Sequence, residues 1–101
     1  MRFQTNILNG VMTVSLAGDL DEKNAKETRE YLDKNIQTYS FQTLILDMKQ
    51  VDFMDSTGIG VLLGRYKKIQ AMGGEICVKN INAQIDKVFR VSGLYQIIKA
   101  V

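Results

Sequence analysis

Histidine, proline and tryptophan are all missing from this 101-residue chain, and cysteine occurs once. Without an imidazole no Ser-His-Asp or Cys-His nucleophile can be assembled, and the commonest ligand of catalytic zinc and iron is gone. The lone Cys77, in the run EICVK, excludes an internal disulfide and a cysteine-cluster metal site. It fits a reducing compartment and reads as a small buried hydrophobe. No cofactor and no metal is expected. Apolar runs are short as well: none approaches the roughly 20 residues that span a bilayer, and MRFQTNILNG lacks the continuous apolar stretch of a signal peptide. Thirteen basic residues against eleven acidic ones leave a net charge of +2, spread along the chain and not gathered in a block. The electrostatic footprint of a nucleic-acid binder is therefore absent. These absences point to a soluble, cytoplasmic protein with neither nucleic acid nor membrane as partner, and the length allows one domain, residues 1–101.

What is present is periodicity. FQTNIL alternates around Phe3 and Ile7, VMTVSL around Met12, Val14 and Leu16, and Asn9-Gly10 between them supplies the two positive-φ positions of a type I′ turn. An antiparallel hairpin is predicted. In NAKETREYLDKNI, Asn24 and Glu27 have capping-box spacing, and Ala25, Thr28, Leu32 and Ile36 share one helical face. QTLILDM puts Leu44, Ile45 and Leu46 in succession, the pattern of a central strand buried on both faces. From Thr57 the period is helical again, with Ile59, Leu62, Leu63, Tyr66 and Ile69 in one stripe and Gly60, Gly64 and Ala71 in another, until Gly73-Gly74 ends the helix. GEICVKN reads as a further strand. Asn82 caps a third helix through Ile85, Val88 and Phe89, and Ser92-Gly93-Leu94 closes it in a Schellman pattern that folds Leu94 back on Phe89. QIIKAV makes a last strand. The order β-β-α-β-α-β-α-β describes an α/β domain: a mixed sheet of about five strands, an N-terminal hairpin followed by parallel βαβ units, with helices packed on it.

The informative junction is QVDFMDSTGIGVLLGRYK, residues 50–67, where a central strand hands over to a helix. Ligands and partners of α/β domains gather at such strand ends. Ser56 is placed to cap a helix beginning at Thr57, and capping alone would account for it. GIGVLLG has the glycines of a phosphate cradle but not their spacing, and no Walker lysine follows. A third reading makes Ser56 a phosphoacceptor: at a helix N-terminus the macrodipole tolerates the added charge of about −2, which is then felt by whatever docks there.

The same residues carry a resemblance. VDFMDSTGIGVLLGRYKKIQAMGGEI, with LAGDLD upstream and KVFRVSGLYQII downstream, is similar to the bacterial anti-sigma-factor antagonists of the STAS family, closest to the sporulation branch. LGRYK at residues 63–67 favours that branch over the general-stress branch, and Asp19 stands where many relatives have Glu. The resemblance implies a binding protein and not an enzyme. It would be phosphorylated on Ser56 by its partner, an anti-sigma factor that is also a serine kinase using ATP, and dephosphorylated by a PP2C-type phosphatase. Unphosphorylated, it would bind the anti-sigma factor and free the sigma factor. On that footing Asp21, Asp55, Ser56, Thr57, Gly58, Gly60 and Arg65 are the expected partner-binding residues, and the free protein is expected to be a monomer. The reading from another class is a small nucleotide-binding sensor module using the STGIG loop.

Overall fold

The computed structural model describes residues 1–101. The elements are β1 (Arg2–Leu8), β2 (Val11–Ala17), α1 (Ala25–Thr38), β3 (Thr43–Gln50), α2 (Ser56–Ala71), β4 (Glu75–Lys79), α3 (Ala83–Ser92), a 3-10 turn (Leu94–Gln96) and β5 (Lys99–Ala100). The strands lie in one sheet in the order of the sequence, β1 antiparallel to β2 and every later pair parallel. The hairpin closes through Asn9 and Gly10 at φ 52° and 78°, the type I′ geometry that Asn-Gly favours.

A strand order that never reverses has a structural consequence. Each right-handed crossover advances one strand in the same direction, so α1, α2 and α3 all land on one face of the sheet. Met12, Val14 and Leu16 of β2, Leu44, Leu46 and Met48 of β3, and Ile76 and Val78 of β4 point into that layer and meet Leu32, Ile36, Leu62, Ile69, Ile85 and Phe89. The other face carries no helix. The expectation that β3 is buried on both faces is therefore corrected: Leu44, Leu46 and Met48 are buried, while Thr43, Ile45 and Asp47 alternate with them as half-exposed residues.

Helix ends depart from expectation in three further places. Asn24 makes no side-chain cap; its amide nitrogen turns back to the Asp19 carbonyl (2.8 Å), so no capping box forms. The Schellman pair appears at the end of α2 instead of α3, with Gly74 N–H donating to Ile69 O (2.9 Å) and Gly73 N–H to Gln70 O (3.0 Å). After α3, Gly93 is left-handed (φ 79°) and its N–H donates to Arg90 O (3.4 Å), one of the two bonds of the expected motif, but Leu94 N–H turns to Ser92 Oγ (3.4 Å), and the chain enters the 3-10 turn before a β5 of only two residues. Leu94 is buried in the same cluster as Phe89 all the same.

Candidate functional site

Two loops build the rim above the carboxyl ends of β2 and β3. Residues 18–24 lie beside residues 51–55 through Leu20 N–H to Phe53 O (2.9 Å) and Asp55 N–H to Leu20 O (3.4 Å), and a single bridge joins Leu20 to Met54. Leu20 and Met54 are both buried, pinning the loops to the core. Helix α2 then has to start almost on top of Leu20. A Cβ on Gly58 would lie 2.3 Å from the Leu20 carbonyl oxygen and 2.6 Å from Met54 Cγ, so only glycine fits. Gly60, two residues on, is exposed with open space where its Cβ would be.

The cap of α2 is Asp55, not Ser56. Asp55 Oδ1 accepts the N–H groups of Thr57 (2.9 Å) and Gly58 (3.0 Å), and Oδ2 is 3.4 Å from Glu22 N, so one carboxylate ties the helix start to the neighbouring loop. A carboxylate has a second oxygen to turn to the neighbouring loop while the first holds the helix amides, which a single hydroxyl oxygen could not do. Ser56 is thereby the first helical residue; it is exposed, and its hydroxyl has no partner within the protein. Thr57, one step further, is half-buried.

The arrangement also weakens the phosphate-cradle reading. The amides that would cradle an anion are occupied by Asp55, and the unreversed strand order makes no crevice at a switch point. What the geometry offers is a rim on which the Ser56 hydroxyl is exposed and unpartnered.

On one side of Ser56, Asp21, Glu22, Lys23, Phe53 and Asp55 line a shallow depression, and Asp21 Oδ1 accepts Asn24 N–H (3.1 Å). On the other side a groove of about 610 Å³ runs between α2 and α3, with Ile59, Val88 and Val91 on its walls and Lys87 at its margin. Helix α3 is clamped against the rim from below. Asn82 Oδ1 caps Ile85 N–H (2.9 Å), as expected, while its amide nitrogen donates to Val51 O (3.2 Å) and Asp52 O (3.0 Å). Gln84 makes a two-bond pair with the Met54 main chain, both bonds 3.1 Å. Gln84, Val88 and Val91 were not picked out as site residues. The available signal was Val91, an apolar residue two positions after Phe89 but off the buried stripe of α3.

Arg65 does not join this rim. It is 5% exposed and lies between α1 and α2, its Nε 3.1 Å from Asp33 Oδ1 but off the N–H axis, so the pair is ionic without a well-formed hydrogen bond. Burial lowers the guanidinium pKa and Asp33 works against that. A side chain so placed braces two helices and is not presented to a partner, which corrects the expectation drawn from sequence. Lys68 reaches the other oxygen of Asp33 (3.1 Å). Cys77 is buried, its thiol pKa pushed up by burial and by the bond to Glu75, in keeping with a packing role. No helix is long and apolar enough to cross a membrane, and no group of three or more His, Cys, Asp or Glu side chains could hold a metal ion.

Comparison with known proteins places this geometry. The STAS domain profile matches residues 2–101. An anti-sigma F factor antagonist of Paenibacillus polymyxa is 40% identical over 88 residues, covering 87% of this chain and 75% of the relative. An anti-sigma-B factor antagonist of Bacillus subtilis (strain 168) is 33% identical over 85 residues, covering 84% and 76%. Among solved structures, the anti-sigma factor antagonist SpoIIAA in its unphosphorylated form superposes with a TM-score of 0.82 at 28% identity, covering 99% of this chain and 88% of that one. The phosphorylated Bacillus SpoIIAA gives 0.73, also at 28% identity, covering 99% and 91%.

Proposed function

The chain belongs to the STAS domain family, and on that premise we propose that it is an anti-sigma factor antagonist switched by phosphorylation of Ser56. It works by binding and carries out no reaction of its own. Its partner is an anti-sigma factor that doubles as a serine kinase using ATP, a PP2C-type phosphatase restores the hydroxyl, and the exchange takes place in the cytoplasm. Of the two branches we favour the sporulation one on LGRYK and on the 40% identity to one sigma F relative; identity alone does not separate them, since a second sigma F relative is 30% identical and the sigma-B one 33%.

The observation that carries this reading is the division of labour at the start of α2. Asp55 holds the free amides, so the Ser56 hydroxyl is spare, exposed and replaceable without loss of the helix. A phosphate on Ser56 finds Thr57 N–H and Gly58 N–H already taken and stays on the outside. It adds about −2 charge next to Asp55, Asp21 and Glu22, at the mouth of the α2–α3 groove. A partner docked over the unmodified rim then meets both bulk and like charge. In this reading Asp21, Asp55, Thr57 and Gly60 frame the docking surface, while Gly58 acts from beneath by setting the height of the helix.

The test is incubation with sporulation-type and stress-type anti-sigma kinases and ATP, with the modified residue mapped. One phosphate on Ser56, and a Ser56→Ala variant that binds the kinase yet is not released by ATP, is the expected result. Phosphate elsewhere, or none with either kinase, overturns the switch. Preference for the stress-type kinase would reassign the branch and leave the switch standing.

A further inference from the structure

Strand order leaves β1 with one open side. In a hairpin closed by a two-residue turn the flanking residues form a hydrogen-bonded pair, and such pairs recur at every second residue. Leu8 faces Val11 across Asn9-Gly10, so Leu8, Asn6, Gln4 and Arg2 direct their N–H and C=O groups to β2. Phe3, Thr5 and Ile7 direct theirs the other way, and no other element or side chain bonds them. Sheets ordinarily protect such an edge with proline, an inward lysine, a bulge or a covering segment. Here the chain has no proline, RFQTNIL has no lysine, and the register with β2 is unbroken.

Against the free monomer that the resemblance implies, we propose that β1 pairs antiparallel with β1 of a second copy of this chain, about a two-fold axis through Thr5, so that two five-stranded sheets become one continuous sheet. The register follows from which residues are free. Phe3 opposite Ile7 of the other copy, Thr5 opposite Thr5, and Ile7 opposite Phe3 turn every outward residue into a hydrogen-bonded pair. A slip of two residues either way loses one of these three pairs, and a slip of one sets outward groups against residues already bonded to β2.

The side chains along the edge suit a copy of themselves. Phe3 stacks on Tyr31 with centroids 4.2 Å apart, Thr5 Oγ1 bonds Tyr31 Oη (2.6 Å) and Asn35 Oδ1 (2.9 Å), and a groove of about 480 Å³ opens beside them towards Lys34, Thr38 and Tyr39. Pairing would lay Ile7, 36% exposed, against that stack in the other copy. Because Thr5 sits beside Tyr31 and Asn35, the same axis runs the two α1 helices antiparallel. The Ser56 rim is built on the β2, β3 and α3 side of the fold and stays open in such a dimer.

Sedimentation equilibrium over rising concentration should carry the protein from the 11.4 kDa chain mass towards twice that value. Ile7→Pro removes an outward N–H without touching the β1–β2 ladder. It should weaken self-association by on the order of 30-fold, since the axis makes each loss count twice. Ile7→Lys, which keeps the N–H, should also weaken it by placing a charge at the seam, while Ile7→Val should not. Hydrogen exchange should show amides of Phe3, Thr5 and Ile7 gaining protection with concentration. A mass that stays at one chain up to millimolar concentration overturns the proposal. So does a dimer that survives both Ile7→Pro and Ile7→Lys with circular dichroism unchanged, or one whose protection appears on another element.

Discussion

The first turn of α2 has two sides that share a sequence motif and almost nothing else. Inward, Asp55 takes two main-chain amides and Gly58 lies under the Leu20 carbonyl with no room for a methyl group. Outward, Ser56 bonds nothing and Gly60 faces open space. One side sets where the helix begins and how close it comes to the neighbouring loop, and the other is left free for chemistry or contact. The lesson is that a functional motif read as one unit, D-S-T-G-I-G, is physically two interleaved sets of residues. Substitutions should therefore separate into large effects on stability and large effects on binding according to side.

The largest effect is expected at Gly58. Gly58→Ala puts a methyl carbon 2.3 Å from a main-chain oxygen, which a flexible side chain cannot relieve, so the helix or the Leu20 loop has to shift. A loss of about 3 kcal/mol is expected from overpacking of this kind, read as a lower urea midpoint with unchanged slope. Gly60→Ala serves as the matched control, because the same methyl there meets nothing and the helix prefers alanine by up to about 1 kcal/mol. Equal destabilisation by the two variants would break the inward-outward division.

Next in size is the cap. Asp55→Ala leaves the Thr57 and Gly58 amides and Glu22 N–H without their acceptor, and a loss of about 1 to 2 kcal/mol is expected. Ser56→Ala should stay within about 0.5 kcal/mol of the parent in the same denaturation, since no bond is removed. If Ser56→Ala proved the more destabilising of the two, the serine would be the cap after all and its availability as a phosphoacceptor would lose its physical basis.

Much of this division was hidden in the sequence for identifiable reasons. Periodicity revealed the five strands and three α-helices, because Asn9-Gly10, Gly73-Gly74 and the apolar stripes are local signals, but it missed the 3-10 turn at Leu94–Gln96 and made β5 too long. Which of two adjacent polar residues caps a helix is decided by the angle at which the chain arrives, and Asp55 is extended (φ −115°, ψ −171°) because it is still paired to Leu20 of a distant loop. The two-sided burial expected of β3 failed on topology: Ile45 is as apolar as its neighbours, but a sheet wound in one direction has helices on one face only. Arg65 looked like a solvent-facing cation because residues 65–68 read Arg-Tyr-Lys-Lys, and only the position of α1 shows that Asp33 waits beneath it. Gln84 gave no local sign of its place, and Val91 only that of an apolar residue off the buried stripe, because both gain their role from the loop and helix they lie beside.

The smallest effect belongs to the far wall of the groove, where α3 is held by polar bonds at the surface, one exposed and one partly buried. Tyr95 Oη donates to Asp86 Oδ1 (2.6 Å) and Arg90 Nε donates to Asp86 Oδ2 (2.8 Å). The bond from Tyr95, and then that from Arg90, lowers the Asp86 pKa from its ordinary 3.8. Burial first, and the bond to Asp86 second, push the Tyr95 phenol from 10.0 to about 12. A depressed carboxylate contributes stability above its unfolded pKa and loses it as pH falls through the folded one. A raised phenol contributes below its unfolded pKa and loses it as pH rises through the folded one. The stability difference between the parent and Tyr95→Phe should therefore form a plateau from about pH 4 to pH 10 and shrink on either side, vanishing on the alkaline limb near the pKa of about 12. Chemical denaturation of both proteins across that range reads it directly. Because the pair is only partly buried, the plateau should be low and should flatten with salt, whereas the Gly58→Ala loss, being steric, should not change with either variable. A Gly58→Ala loss that followed pH or salt would mean that the inward side is held by charge, not by shape.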